Sequence, residues 1–66
     1  MKRIDKNGEE LYVGVDVEVP IPTEGDQWNY SFDGTIKEFN DTDGYCIVED
    51  MIGDCWRVKP ERLVMI

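Results

Sequence analysis

The chain has 66 residues, of which 41% are hydrophobic and 33% charged, with 15 acidic residues against 7 basic ones and a formal net charge of −8. A chain this short buries only ~60% of the surface it exposes when unfolded, which leaves too small a core to hollow into a substrate pocket, while the apolar content is too high for a disordered tail. The negative charge repels the phosphate backbone whose neutralisation supplies most non-specific nucleic-acid affinity, and so weighs against DNA or RNA as a partner.

Charge is unevenly spread. Residues 1–10 balance Lys2, Arg3 and Lys6 against Asp5, Glu9 and Glu10, whereas residues 16–54 hold eleven acids and a single base, Lys37. Arg57, Lys59 and Arg62 then outweigh Glu61. Acids in such numbers solubilise a small sheet and discourage edge-to-edge pairing; they also suit a basic partner.

In chain order, Asn7-Gly8 predicts a type I′ turn joining a strand over residues 3–6 to one over 9–13. Gly14 permits a change of direction, after which Val15, Val17 and Val19 alternate with Asp16, Glu18 and Pro20 as a half-buried strand with an acidic outer face. Pro20 and Pro22 cannot donate to a ladder, and with Thr23, Glu24, Gly25 and Asp26 they predict an exposed loop. From Trp28 to Phe39, alternation through Trp28, Tyr30, Phe32, Gly34 and Ile36 predicts one long strand, bent at Asp33-Gly34, with a phase slip near Glu38.

Residues 40–44 form a polar turn with Gly44 suited to the left-handed position. Asp41, Asp43 and Gly44 match part of a calcium loop, but counting back from Gly44 puts Phe39 at the first ligand position and Asp50 at the twelfth, so no calcium site is expected. Strands over 45–49 and 55–59 flank a tight connection at 50–54, and which face of the first arm is core stays open between Tyr45, Ile47, Glu49 and Cys46, Val48, Asp50. Pro60, Glu61 and Arg62 suit one 3₁₀ turn before a last strand over 63–66.

Catalysis finds no residues to carry it. Histidine is absent, Ser31 is the sole serine, and Cys46 and Cys55 have no neighbouring base, so no nucleophile–base pair assembles and the chain is read as a non-enzyme. The cysteines are expected to be free thiols, and without histidine or a CxxC pair neither a metal nor another cofactor is expected. The longest apolar run, residues 63–66, is far below the roughly 20 a membrane helix needs. Met1-Lys2-Arg3 is not followed by an apolar stretch of the kind a secretory signal carries, so a cytoplasmic location is expected.

The order Val15-Asp16-Val17-Glu18-Val19-Pro20, a proline loop, Phe32-Asp33-Gly34-Thr35-Ile36, Tyr45-Cys46-Ile47-Val48-Glu49-Asp50, Trp56-Arg57-Val58 and Pro60-Glu61-Arg62-Leu63-Val64 resembles the SH3-like barrels, closest to the Tudor, chromo-barrel and KOW kind. The resemblance covers residues 13–66 and implies an all-β, SH3-like (Tudor-like) barrel of about five strands, preceded by a hairpin over 1–12, as a single domain. It also implies a non-catalytic interaction module. Tudor-like barrels hold cations in an aromatic cage, for which the candidates here are Trp28, Tyr30, Phe32, Tyr45 and Trp56, with Asp26 or Asp50 as the facing carboxylate. The partner-binding residues expected on this basis are Trp28, Tyr30, Tyr45, Trp56, Asp26 and Asp50, with Trp28 partly exposed at a rim, for a protein with a basic surface. Alternatives are KOW-like nucleic-acid or ribosome-associated binding, which lacks its basic face here, and an acidic mimic of nucleic acid that blocks a DNA-binding protein. The chain is expected to be a monomer or a weak homodimer through the apolar 63–66 strand.

Overall fold

The computed structural model describes residues 2–66; Met1, the first residue of the hairpin segment expected over 1–12, lies outside the described residues. Five antiparallel strands, β1 (Asp16–Val19), β2 (Phe32–Asn40), β3 (Tyr45–Glu49), β4 (Cys55–Val58) and β5 (Val64–Met65), form one sheet in the order β4-β3-β2-β1-β5. A single 3₁₀ turn, Pro60–Arg62, links β4 to β5. Among the described residues no helix is long and apolar enough to cross a membrane.

Period-2 alternation dictates the core. Val17 and Val19 of β1, Ile36 of β2, Cys46 and Val48 of β3, Val58 of β4 and Leu63 are buried together with Leu11, Val15 and Trp28 in one cluster. Each fully buried Val or Leu contributes roughly 1.5–3 kcal/mol. The face of β3 left open by sequence is thereby settled: Cys46 and Val48 point inward, and Tyr45, Ile47 and Glu49 lie at the half-buried outer surface. Asp16 and Glu18 are exposed on β1, which gives the acidic outer face the alternation predicts.

β2 runs in unbroken register against β1 through Asp33 and Gly34, so no bulge falls at the position expected for the bend. The register shifts between Ile36 and Glu38 against Val48 and Ile47, leaving Lys37 as the extra residue of a bulge, where the apolar phase slips in the sequence. Gly34 sits opposite Val17. A Cβ there would meet the Glu49 carbonyl oxygen at 2.6 Å and Val48 Cγ1 at 2.7 Å, so glycine is required by the close approach of β3 rather than by a left-handed backbone.

The N-terminal hairpin forms, with Ile4 bridging Glu10, but not around a type I′ turn. Gly8 has φ +84°, whereas no non-glycine residue among those described has positive φ, so Asn7 is in the ordinary region. Gly8 N–H donates to the Asp5 carbonyl and Asp5 N–H to the Glu9 carbonyl, which is a type I turn followed by a glycine bulge. The Asp5 side chain explains the choice: its Oδ1 accepts from Asn7 N–H (2.9 Å) and Glu9 N–H (2.8 Å), rewarding the type I geometry.

The same device recurs at residues 50–54. Gly53 has φ +93° and donates to the Asp50 carbonyl, Asp50 N–H donates to Asp54, and Asp50 Oδ1 accepts from Ile52 and Asp54 N–H. Asp5-Lys6-Asn7-Gly8-Glu9 and Asp50-Met51-Ile52-Gly53-Asp54 are thus two copies of one turn.

Both edges of the sheet remain distinct because β4 and β5 do not pair. The outer side of β5 is occupied: Met65 N–H donates to Asp5 Oδ2 at 2.8 Å and Lys6 N–H to the Leu63 carbonyl at 2.8 Å. The last strand is therefore shorter than residues 63–66. Leu63 is fully buried, and the strand edge through which a homodimer was expected is covered by the chain's own hairpin.

Candidate functional site

Residues 28–31 are not part of β2. Val19, the last residue of β1, pairs with Phe32, so the segment before Phe32 has no neighbouring strand and its alternation is not translated into sides of a sheet. Trp28 turns inward and is only 4% exposed, its indole N–H donating to the Pro20 carbonyl at 2.9 Å and fixing the loop between β1 and β2. Tyr30 turns outward and is 79% exposed. Trp28, Tyr30 and Phe32 therefore do not share one face, and Trp28 is a core residue rather than an exposed rim. Such a loop-spanning hydrogen bond leaves no signal in local sequence.

The six expected binding residues fall into two neighbouring places. Asp26, Trp28 and Tyr45 border a small pocket of about 110 Å³ with Gly25, Gln27 and Arg57. There the chain supplies its own cations. Arg62 makes a two-pronged ion pair with Asp26, at 2.8 Å for each contact, and its guanidinium lies 5.2 Å from the Trp28 ring centre. Hydrogen bonding from Arg62 holds the Asp26 carboxyl down at about 2, helped by the Thr23 backbone N–H. Arg57 covers Tyr45 at 4.4 Å, with Lys59 at 5.6 Å. The aromatic rings and the carboxylate at this pocket each already face a cation of the same chain.

Tyr30, Trp56 and Asp50 meet Phe32, Ile52 and Asp54 around a groove of about 180 Å³ between the 28–32 segment and the β3–β4 turn, and Trp28 and Asn29 also line it, so Trp28 borders both places. Phe32 and Trp56 pack with ring centres 6.5 Å apart at 56°. Trp56 is half-buried, with its indole N–H donating to Asp50 Oδ2 at 3.0 Å. That bond, more than the turn N–H groups on Oδ1, lowers the Asp50 pKa. Asp50 is consequently committed to its own turn and to Trp56.

The groove continues over Asp33 and Met51 into a depression of about 380 Å³, and onward to a second of about 380 Å³ bounded by Asp16, Asp33, Thr35, Glu49, Met51 and Ile66. No lysine or arginine lines any of the three. Lys37 reaches Glu49 at 3.6 Å. Glu18 and Asp33 face each other across β1 and β2, a like-charge pair with no base assigned to it. Met51 and Ile52, at the tight connection expected over 50–54, are exposed at 92% and 83%.

Cys46 is buried and donates to the Val58 carbonyl at 3.1 Å, and burial pushes its thiol up to about 11; Cys55 is exposed, and both are free thiols. Among the described residues no three Cys, Asp or Glu side chains are grouped to hold a metal ion. No protein-family model matches the chain, and neither the characterised proteins nor the solved structures include one that matches it.

Proposed function

We propose that this chain is an SH3-like interaction module, without catalytic activity, that binds a protein with a basic surface through aromatic residues on an acidic face. The observation that carries the reading is the groove of Tyr30, Phe32 and Trp56 bordered by Asp50 and Asp54, open to solvent and free of lysine and arginine. Aromatic edges and faces beside carboxylates favour Arg and Lys side chains through cation–π contact and charge complementarity. Of the residues expected from sequence, Tyr30, Trp56, Asp50 and the largely buried Trp28 border this surface, while Asp26 and Trp28 are engaged by Arg62, and Tyr45 by Arg57 and Lys59.

The test is affinity capture with immobilised full-length chain. A basic protein that elutes with salt and is lost with Tyr30→Ala and Trp56→Ala supports the reading; capture unchanged by both variants overturns it. Adding duplex DNA separates a nucleic-acid mimic from a module. Displacement of the captured partner by DNA, with Tyr30→Ala having no effect, supports the mimic.

A further inference from the structure

The two aspartate–glycine turns provide an internal comparison. Both are closed by the same backbone bonds and the same Asp Oδ1 contacts, yet their tips differ: Lys6-Asn7 in one, Met51-Ile52 in the other. The first tip shows that the geometry needs no apolar residue at either place. Met51 and Ile52 are 92% and 83% exposed, so they do not fill the core either. Neither local conformation nor packing accounts for them.

Ile52 lines the aromatic groove with Tyr30, Phe32 and Trp56, and Met51 lines the adjoining depression beside Phe32. Together the tip and the groove form a contiguous apolar surface, flanked by Asp33 and Asp54, both exposed. An apolar patch rimmed by carboxylates has the composition of an interaction site, with an apolar centre and a polar rim.

We infer that the Met51-Ile52 tip and the Tyr30–Trp56 groove form the docking surface for a protein segment that carries apolar side chains next to Lys or Arg. This rests on the module reading above and narrows it to one place. Charge selects the occupant. A second copy of this chain would bring a net charge of −8 against the same carboxylates, and an anionic lipid surface would be repelled in the same way. A basic segment with apolar anchors is drawn by Asp33 and Asp54 and buries the tip, the arrangement in which a few anchors at the centre carry most of an interface's energy.

The test places the photo-crosslinking residue p-benzoylphenylalanine in the full-length chain at position 52, at the equivalent tip position 7, or at position 45, within the cells that make the protein. The expected result is one dominant protein adduct from position 52, absent from position 7, whose linked peptide holds apolar residues beside Lys or Arg. Two variants guard against misfolding. Met51→Lys with Ile52→Asn installs the tip that the first turn already tolerates, and is scored by affinity capture of the partner so identified. Asp33→Lys replaces the like-charge contact with Glu18 by an attractive one, so it should preserve or raise stability while still weakening capture. Each should reduce capture at least tenfold. Absence of an adduct at 52, equal labelling at 52 and 7, an adduct to another copy or to lipid, a linked peptide without bases, or full capture by Asp33→Lys would each overturn the inference. If a basic protein instead links from position 45, the module reading survives and this placement fails.

Discussion

At the scale of single residues, Asp5 and Asp50 show how one carboxylate organises a small sheet. Oδ1 of each accepts two turn N–H groups, while Oδ2 reaches across the fold, to Met65 N–H for Asp5 and to the Trp56 indole for Asp50. These bonds, with Met65 dominant at Asp5 and Trp56 at Asp50, lower both pKa values, as Arg62 does for Asp26. A carboxylate with a folded pKa below its unfolded one contributes stability that is complete above the unfolded value and disappears as pH falls through the folded value. Urea midpoints are therefore expected to be flat from neutrality to about pH 5 and to fall between about pH 4 and pH 2, with the slope over that window reduced in Asp26→Asn. Gly34 makes a second residue-scale prediction. Gly34→Ala drives a methyl into the Glu49 carbonyl and should cost about 1–3 kcal/mol by equilibrium unfolding. The cysteines make a third, because only Cys55 is exposed: one thiol should react with Ellman's reagent in the native state and the second only on unfolding.

At the scale of elements, the segment between β1 and β2 is where local pattern and tertiary structure part. Trp28 to Phe32 alternates as a strand would, but β1 ends at Val19, so no ladder reaches past Phe32. Trp28 therefore serves as the inward anchor of a loop. Trp28→Phe keeps most of the ring volume but leaves the Pro20 carbonyl without its donor, at a cost of about 1–3 kcal/mol in urea unfolding. A Tyr30→Ala change, at an exposed position, should alter stability by less than about 0.5 kcal/mol while weakening partner capture. The contrast between these two variants separates a core aromatic from a binding one.

For the whole molecule, the sheet has two unlike edges. β5 is sealed by the N-terminal hairpin through Asp5 and Lys6, and the hairpin's Leu11 belongs to the same core as the strands. β4 is the edge without a paired strand, and it is short and bears Arg57, with Lys59 just beyond, which are features that discourage pairing with another chain. Charge is likewise sorted: Arg3, Arg57 and Arg62 are tied to Asp41, Asp43 and Asp26, while Asp16, Glu18, Asp33 and Asp54 have no such base among the described residues. Asp33 and Asp54, without such a partner among the described residues, are the acids that border the apolar groove and its continuation.

The sequence by itself determined the elements whose partners are close in chain or whose alternation is long: β1, the bulged β2 from Phe32 onward, the β3–β4 hairpin and the 3₁₀ turn at Pro60–Arg62. Period-2 burial and turn chemistry act within a few residues, so they can be read along the chain. The candidate site was legible only in part. Tyr30, Trp56 and Asp50 were marked by residue type, but sequence carried no sign that Arg62, 36 residues from Asp26, pairs with it and covers the Trp28 ring. Nor could it show that two turns 45 residues apart share one geometry until their bonds were seen. Tertiary structure decided which aromatics face water, because that depends on where β1 stops and on which side chain reaches the Pro20 carbonyl. These are contacts between segments, set by the packing of the whole sheet rather than by the residues on either side of each aromatic.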